Sequence, residues 1–240
     1  QSKRNEVYQK KIDTLKKINR LYPCFETPEE LNLKRKSLLS VGKPPIYDRS
    51  SLELSEDQIQ DNIKKGKKPH WRFKLNHTII RWNDLIKGKI SFDSNKLSDP
   101  ILIREDSSLL YHLPSVIDDI EENITDIIRG EDHITNTAFH IQIFEALNYS
   151  VPRFGHHPLL IDKEGKGFGK RSGSLSIKQL REDGFENITL LNYLLTIGTS
   201  KNITKEKNIN TLFQNFNLQN LAKSSPKFSL NVLKDLNKLI

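Results

Sequence analysis

Methionine is absent from all 240 residues, and the chain opens on Gln1. A translated frame starts with methionine, so truncation at the N-terminal end is expected. It is expected at the other end too, where Leu230, Leu233, Leu236 and Ile240 recur near helical spacing and the pattern runs out without a capping signal. Cysteine occurs once, at Cys24, which excludes an internal disulfide framework or a zinc knuckle of several cysteines and leaves a buried structural thiol as the expectation. No stretch approaches the roughly 18 to 20 apolar residues that would span a bilayer. The opening QSKRNEVYQKKIDTLKK is charged and lacks the apolar centre of a signal peptide. A soluble, cytoplasmic chain without membrane contact is expected. GxSxG, HExxH and the Walker pattern GxxxxGK[ST] are all missing, which removes most support for hydrolase chemistry and for a P-loop.

What is present is charge, unevenly placed. The net charge is +8, with 38 Lys and Arg against 30 acids. Residues 1–20 carry seven basic side chains against two acids and residues 61–90 carry nine against two, so both stretches suit an anionic polymer. Solvated helix faces are the plainer account of the same charges, and charge alone does not choose. Residues 98–140 reverse the balance, with Arg104 and Arg129 against ten acids.

Periodicity divides the chain into textures. A helix over 3–21 faces Val7, Ile12, Leu15 and Ile18 to one side and closes at Tyr22-Pro23. Residues 27–97 read as a small mixed unit: Thr27-Pro28-Glu29-Glu30 starts a helix, Gly42-Lys43-Pro44-Pro45 breaks it, and HWRFKLN follows a basic turn as a strand. From Asp99, short β-branched runs (ILIRED, TDIIRGED, PLLID) alternate with helical segments around SVIDDIEEN and TNTAFHIQIFEALNY, which predicts a parallel sheet. After EGKGFGKRSGS the segments IKQLRED, ITLLNYLLTIG, INTLFQNF and the terminal stretch read as helices.

Three places could carry chemistry. In IIRGEDHITN an apolar strand ends at Arg129 and a helix begins near Asn136 or Thr137, the junction at which ligands bind in open α/β sheets. Arg129 offers a planar fork for a carboxylate, and Asp132 or His133 could reach a ribose or an amine; equally, Arg129 could only tie down Glu131 or Asp132. In LLYHLPSVIDDI, Tyr111, Ser115, Asp118 and Asp119 cluster, and paired carboxylates invite a metal or acid/base role. Adjacent aspartates point apart on a helix, so capping or interdomain hydrogen bonds explain them better. In KEGKGFGKRSGS, Gly167 and Gly169 permit close backbone approach beside Lys170 and Arg171, a phosphate cradle or simply a flexible turn. His156 and His157 have no metal-ligand frame and read as core or surface histidines.

Taken in order and spacing, these segments resemble bacterial glutamyl-tRNA synthetases over nearly the whole chain. LIREDSSLLYHLPSVIDDIEENITDIIRGEDHITNTAFHIQIFEALNY is similar to the family's second Rossmann half, and GFGKR to the second signature loop of class I synthetases, KMSKS or KLSKR. YPCF, PPIYDR, WRFKL and W-x-D-L-x-x-G look like the exit from the first Rossmann half and the inserted acceptor-binding domain. The implied fold is α/β. Residues 1–21 end the first Rossmann half, 22–97 form the inserted α+β acceptor-stem-binding domain, 98–173 the second half with the signature loop, and 174–240 a truncated helical stem-contact domain.

The resemblance implies an ATP-dependent ligase that activates L-glutamate and transfers it to the tRNA for glutamate, with the tRNA for glutamine as an open second acceptor. It assigns Tyr111, Ser115 and Arg129 to glutamate, with Arg129 on the side-chain carboxylate. It assigns Asp132, Leu160, Gly169 and Lys170 to ATP, with Lys170 and Arg171 as the catalytic pair at the phosphates. Magnesium would arrive with ATP, no zinc is expected because Cys24 lacks companion cysteines, and a monomer is expected. Departures are visible: no HIGH-type signature and no anticodon-binding segment lie within the chain, and Gly169 and Gly167 stand where the family usually has serine and often lysine. A fragment inactive by itself is expected. The rival readings are a paralogue that glutamylates a tRNA base (glutamyl-queuosine synthesis) and a non-catalytic tRNA-binding module.

Overall fold

The computed structural model describes residues 3–168, 175–199, 205–214 and 216–239. The chain folds into two compact units: residues 1–82, 89–127 and 135–153 make the first, and residues 83–88, 128–134 and 154–240 the second.

In the first unit, α1 (Asn5–Lys17) buries Tyr8, Ile12 and Leu15, spaced four and three apart so that they share one face, and places Lys16 and Lys17 at the carbonyl end of its dipole. Ile18, expected on that face, is 45% exposed because the helix has ended and Asn19 has turned to φ 55°. β1 (Leu21–Cys24) follows, then α2 (Pro28–Ser40). α2 starts where the sequence predicts: the Thr27 side chain accepts from the Glu30 amide, and the Glu30 carboxylate accepts from the Thr27 amide. Ser55 and Gln58 repeat the device at the start of α3 (Glu56–Lys64).

β2 (His70–Phe73) is the centre of a three-stranded sheet, flanked by β1 and by β5 (Ile101–Ile103). The strands β3 (Ile79–Asp84) and β4 (Gly88–Asp93) pair as a hairpin between β2 and β5 in the chain. Both β1 and β5 run antiparallel to β2, with Leu21 opposite Phe73 and Trp71 opposite Ile103. The parallel pairing predicted for ILIRED is therefore corrected. A three-residue strand takes the open edge of β2, and its reversal needs only the intervening hairpin, not a helical crossover.

α4 (His112–Glu121) and α5 (Ile134–Ala146) complete this unit, separated by β6 (Asp126–Gly130). Leu15, Phe73, Leu102, Leu113, Val116, Ile117 and Ile143 are fully enclosed in one core. Each such side chain contributes about 1.5–3 kcal/mol by leaving water. β6 pairs with β7 (Arg153–His157), the strand that leads into the second unit. This strand is RFGHH; PLLID, expected as the strand, lies after it.

The second unit continues with α6 (Ile177–Glu182), α7 (Asn187–Thr196), α8 (Ile209–Gln214) and α9 (Leu230–Asn237). Leu180, Tyr193, Leu233 and Leu236 form its core, and the Tyr193 hydroxyl accepts the Ser229 amide at 2.7 Å where α9 begins. The Ser229 hydroxyl in turn caps α9. No helix among the described residues is long and apolar enough to cross a membrane.

Candidate functional site

Arg129 is the penultimate residue of β6, and a 3-10 turn, Glu131–His133, joins the strand to α5 at Ile134. The helix thus begins two residues earlier than its sequence pattern suggests. Gly130 leaves room there for its neighbours: a Cβ would lie 2.5 Å from Asp132 Oδ1 and 2.9 Å from Leu159 Cδ2, so both side chains would have to shift. The half-buried Arg129 guanidinium stands 5.4 Å from the Phe154 ring centroid, and its Nε lies 3.4 Å from His156 Nε2. Glu131 is engaged by Lys87, by the Ser225 hydroxyl and by the Leu159 amide. Burial alone would raise its carboxyl; the Lys87 ammonium and those donors bring it below the ordinary value. Asp132 is exposed and pairs with His133 at 3.7 Å. Leu160 lines an apolar cavity of about 370 Å³ together with Leu159, Phe168, Leu190 and Phe228, large enough for a flat heteroaromatic ring. These residues all belong to the second unit. A guanidinium held over an aromatic face at a strand end can grip a carboxylate.

Tyr111 and Ser115 belong to the first unit. Tyr111 precedes α4 and is 47% exposed, with its ring 5.5 Å from His112 and 5.6 Å from His140. His112 Nδ1 and the fully buried His140 Nε2 are 3.2 Å apart. Ser115 lies one turn on, its amide donating to the Tyr111 carbonyl at 3.2 Å. Asp118 accepts the Tyr8 hydroxyl at 2.8 Å and pairs with Arg4 at 3.1 Å. Burial and that carboxylate push the Tyr8 phenol up to about 12. Asp118 thus ties α4 to α1, in keeping with a structural role. Gly169, Lys170 and Arg171, on which the phosphate-loop reading falls, lie outside the described residues.

Among the described residues, one group of three potential metal donors comes together: Cys24, Glu26 and His70 have ligand atoms within 4.8 Å of one another. Their hydrogen bonds give the group another role. Glu26 accepts the hydroxyls of Tyr47 (2.7 Å), Ser50 (3.0 Å) and Ser51 (2.8 Å), and Tyr47 also meets the Cys24 sulfur at 3.7 Å. The buried thiol is pushed up to about 11, chiefly by desolvation. Burial would raise the Glu26 carboxyl as well, but the Tyr47 hydrogen bond and its companions take it from 4.5 down to about 2. A depressed folded-state pKa stabilises above the unfolded value and loses that contribution as pH falls through the folded one. Glu26→Gln is therefore expected to cost about 2 kcal/mol near pH 6, with the difference vanishing between pH 4.5 and pH 2. Urea unfolding at several pH values measures it; a pH-independent difference would remove the carboxylate's charge as the cause.

The pairing of two residues in the site environment escapes a reading by sequence. Asp84 and His156 are 72 positions apart and form a fully buried pair, Nδ1 to Oδ2 at 2.5 Å. The only local hint is W-x-D-L-x-x-G, where Asp84 ends β3 before a turn whose amides it accepts.

Residues 1–235 match the family model of class I tRNA synthetases (E and Q), catalytic domain. The chain belongs to that family. It is 50% identical over 227 residues to a glutamate-tRNA ligase of Azospirillum brasilense, covering 94% of this chain and 51% of that protein. It is 49% identical over 247 residues to glutamate-tRNA ligase 2 of Bartonella bacilliformis, covering 99% and 54%. Among solved structures, glutamate-tRNA synthetase from Elizabethkingia anophelis superposes with a TM-score of 0.86 at 28% identity, covering 99% of this chain and 54% of that one. A glutamate tRNA ligase from Elizabethkingia meningosepticum in complex with its amino acid gives 0.85 at 28% identity, covering 99% and 53%. The chain spans about half the length of the relatives it matches.

Proposed function

We propose that the chain is part of a glutamate-tRNA ligase, an ATP-dependent enzyme that activates L-glutamate and transfers it to the tRNA for glutamate. The observation that carries this reading is the family match across residues 1–235, with relatives about 50% identical that are themselves glutamate-tRNA ligases. In this reading the glutamate α-carboxylate attacks the α-phosphorus of ATP, pyrophosphate leaves, and the resulting mixed anhydride is opened by a hydroxyl of the terminal tRNA ribose, releasing AMP. No protein nucleophile is needed, so positioning and charge stabilisation supply the catalysis.

Arg129 takes the substrate's side-chain carboxylate, and Tyr111 and Ser115 are given to the same amino acid by the family resemblance. Leu160, with its apolar cavity, backs the adenine, and Asp132 takes a hydroxyl of the ATP ribose. Lys170, Arg171 and the Gly169 backbone serve the phosphates. Magnesium enters as the counter-ion of ATP and belongs to that substrate. Residues 1–21 and 98–173 contribute the Rossmann halves, 22–97 the acceptor-stem domain and 174–240 the stem-contact helices. A neutral amino acid in this pocket would leave the arginine without its counter-charge, which rejects it.

The test is glutamylation by the complete reading frame that carries this chain, with ATP and transcripts of the tRNAs for glutamate and glutamine. Ester-linked glutamate on the glutamate tRNA is expected, abolished when periodate has destroyed the terminal ribose diol. Charging of the glutamine tRNA would widen the specificity, and charging of neither would overturn the proposal. Transfer that survives periodate would point to a base-modifying paralogue.

A further inference from the structure

We propose that Asp84 and His156 are positioning residues for Arg129, fixing its guanidinium by holding the His156 ring as the tautomer with its proton on Nδ1. The inference rests on the reading of Arg129 as the glutamate-binding residue.

Asp84 Oδ1 accepts three backbone N–H groups, from Ile86 at 3.0 Å, Lys87 at 2.9 Å and His156 at 3.0 Å. Three converging donors require an acceptor, so this position can hold only a carboxylate or carbonyl oxygen. The other oxygen, Oδ2, is 2.5 Å from His156 Nδ1. An ionised carboxylate cannot donate, so the proton between them sits on Nδ1 and Nε2 carries a lone pair. Arg129 Nε–H, 3.4 Å away, is a donor and nothing else. The other tautomer would set two N–H groups against each other, and a doubly protonated ring would set a second cation against the guanidinium. Burial, together with Arg129 and His133, lowers the His156 pKa against the raising effect of the Asp84 carboxylate, which favours the neutral ring.

The strand supports the geometry. Phe154 and His156 are two residues apart on β7 and so share a face; their rings are stacked, 13° from parallel with centroids 6.3 Å apart. The Arg129 guanidinium lies over the Phe154 ring. Gly155, between them, lets the strand pack closely: a Cβ there would lie 2.7 Å from Ile128 Cδ1 and 3.3 Å from Leu85 Cβ, and the Ile128 side chain would have to move. With Nε anchored and one face against an aromatic ring, the direction of the Nη1–Nη2 edge, the one that makes bidentate contact with carboxylates, is set. A buried Asp–His pair is weak evidence for stability, because well-packed apolar residues usually serve a core as well. Its value here lies in orienting the arginine.

The experiment is Asp84→Asn in the complete protein. The three backbone donors hold the asparagine carbonyl at the Oδ1 position, so its NH2 group faces His156 Nδ1 and drives the proton to Nε2. The glutamate KM in ATP–pyrophosphate exchange is expected to rise by about tenfold or more, equivalent to about 1.4 kcal/mol, while the ATP KM stays within about twofold. Long-range 1H–15N correlation spectra of histidine-labelled protein should show a neutral Nδ1–H ring for His156, and an Nε2–H ring in D84N. An Nε2–H or doubly protonated His156 in the unaltered protein at pH 7 would overturn the proposal, as would a tautomer flip with an unchanged glutamate KM. A glutamate KM indifferent to Arg129→Lys would instead sink the reading of Arg129, leaving the tautomer result to stand by itself. If D84N does not fold, H156Q and H156L carry the test: the glutamine carbonyl can replace the Nε2 acceptor, so its glutamate KM should be several-fold lower than that of the leucine variant. Equal values would overturn the proposal.

Discussion

Arg129→Ala, in the complete protein, is expected to lower kcat/KM for glutamate in ATP–pyrophosphate exchange by about a hundredfold to a thousandfold. The size follows from charge. Truncating one partner of a desolvated, bidentate pair costs about 2–5 kcal/mol, because the other charge is left without compensation. Arg129 is half-buried at a strand end and sits over the face of Phe154, so the alanine variant loses little packing and should keep its unfolding midpoint. Lysine keeps the charge without the fork and should recover only part of the activity. A glutamate KM within about threefold of the unaltered enzyme would remove Arg129 from the amino-acid site.

Asp99→Ala is expected to destabilise the first unit by about 3–5 kcal/mol, read from urea unfolding. Asp99 is 1% exposed and collects donors from three separate stretches of chain: the Tyr22 hydroxyl at 2.7 Å, Arg49 Nη2 at 2.6 Å and the Leu75 amide at 3.0 Å. Its own carbonyl accepts Arg72 Nη1 at 2.7 Å. Burial, the neighbouring Asp99 carboxylate and its hydrogen bond all raise the Tyr22 phenol, which stays neutral and donates. Alanine leaves a buried phenol and a guanidinium facing a void, and asparagine, which keeps one acceptor, should fall between the two. A loss below about 1 kcal/mol would show that water or a rearranged Arg49 replaces the carboxylate, and that the network is not what holds β1, β2 and the segment before β5 together.

Local features were the legible part of the fold. The Thr27–Glu30 capping box is encoded within four residues, and the α1 face within eight, so both can be seen without knowing what lies opposite. The family resemblance rested on the same kind of signal, motifs in order along the chain. β7 was illegible because RFGHH has no β-branched residue and its centre is a glycine; it is a strand because Gly155 lets it approach Ile128 and Leu85. β5 is legible as a strand but not in its orientation, since ILI suits a parallel or an antiparallel edge equally well and only the position of β2 decides. Arg129 could be singled out as an arginine at the end of an apolar strand. Asp84 could not be joined to it, because their connection passes through His156 and is made only by tertiary contact.

α2 buries none of its residues, and Leu33 and Leu39 within it and Val41 just beyond its end are more than half exposed. What starts it is its capping box, a contract between Thr27 and Glu30 that no distant residue signs. The exposed face of the helix consequently answers to local rules alone. Apart from Lys34, which reaches Glu26, Asp48 and Ser50, the exposed positions of Pro28–Ser40 can be re-engineered to change the surface that the protein shows to its surroundings while Tyr8, Phe73 and Leu113 stay fixed.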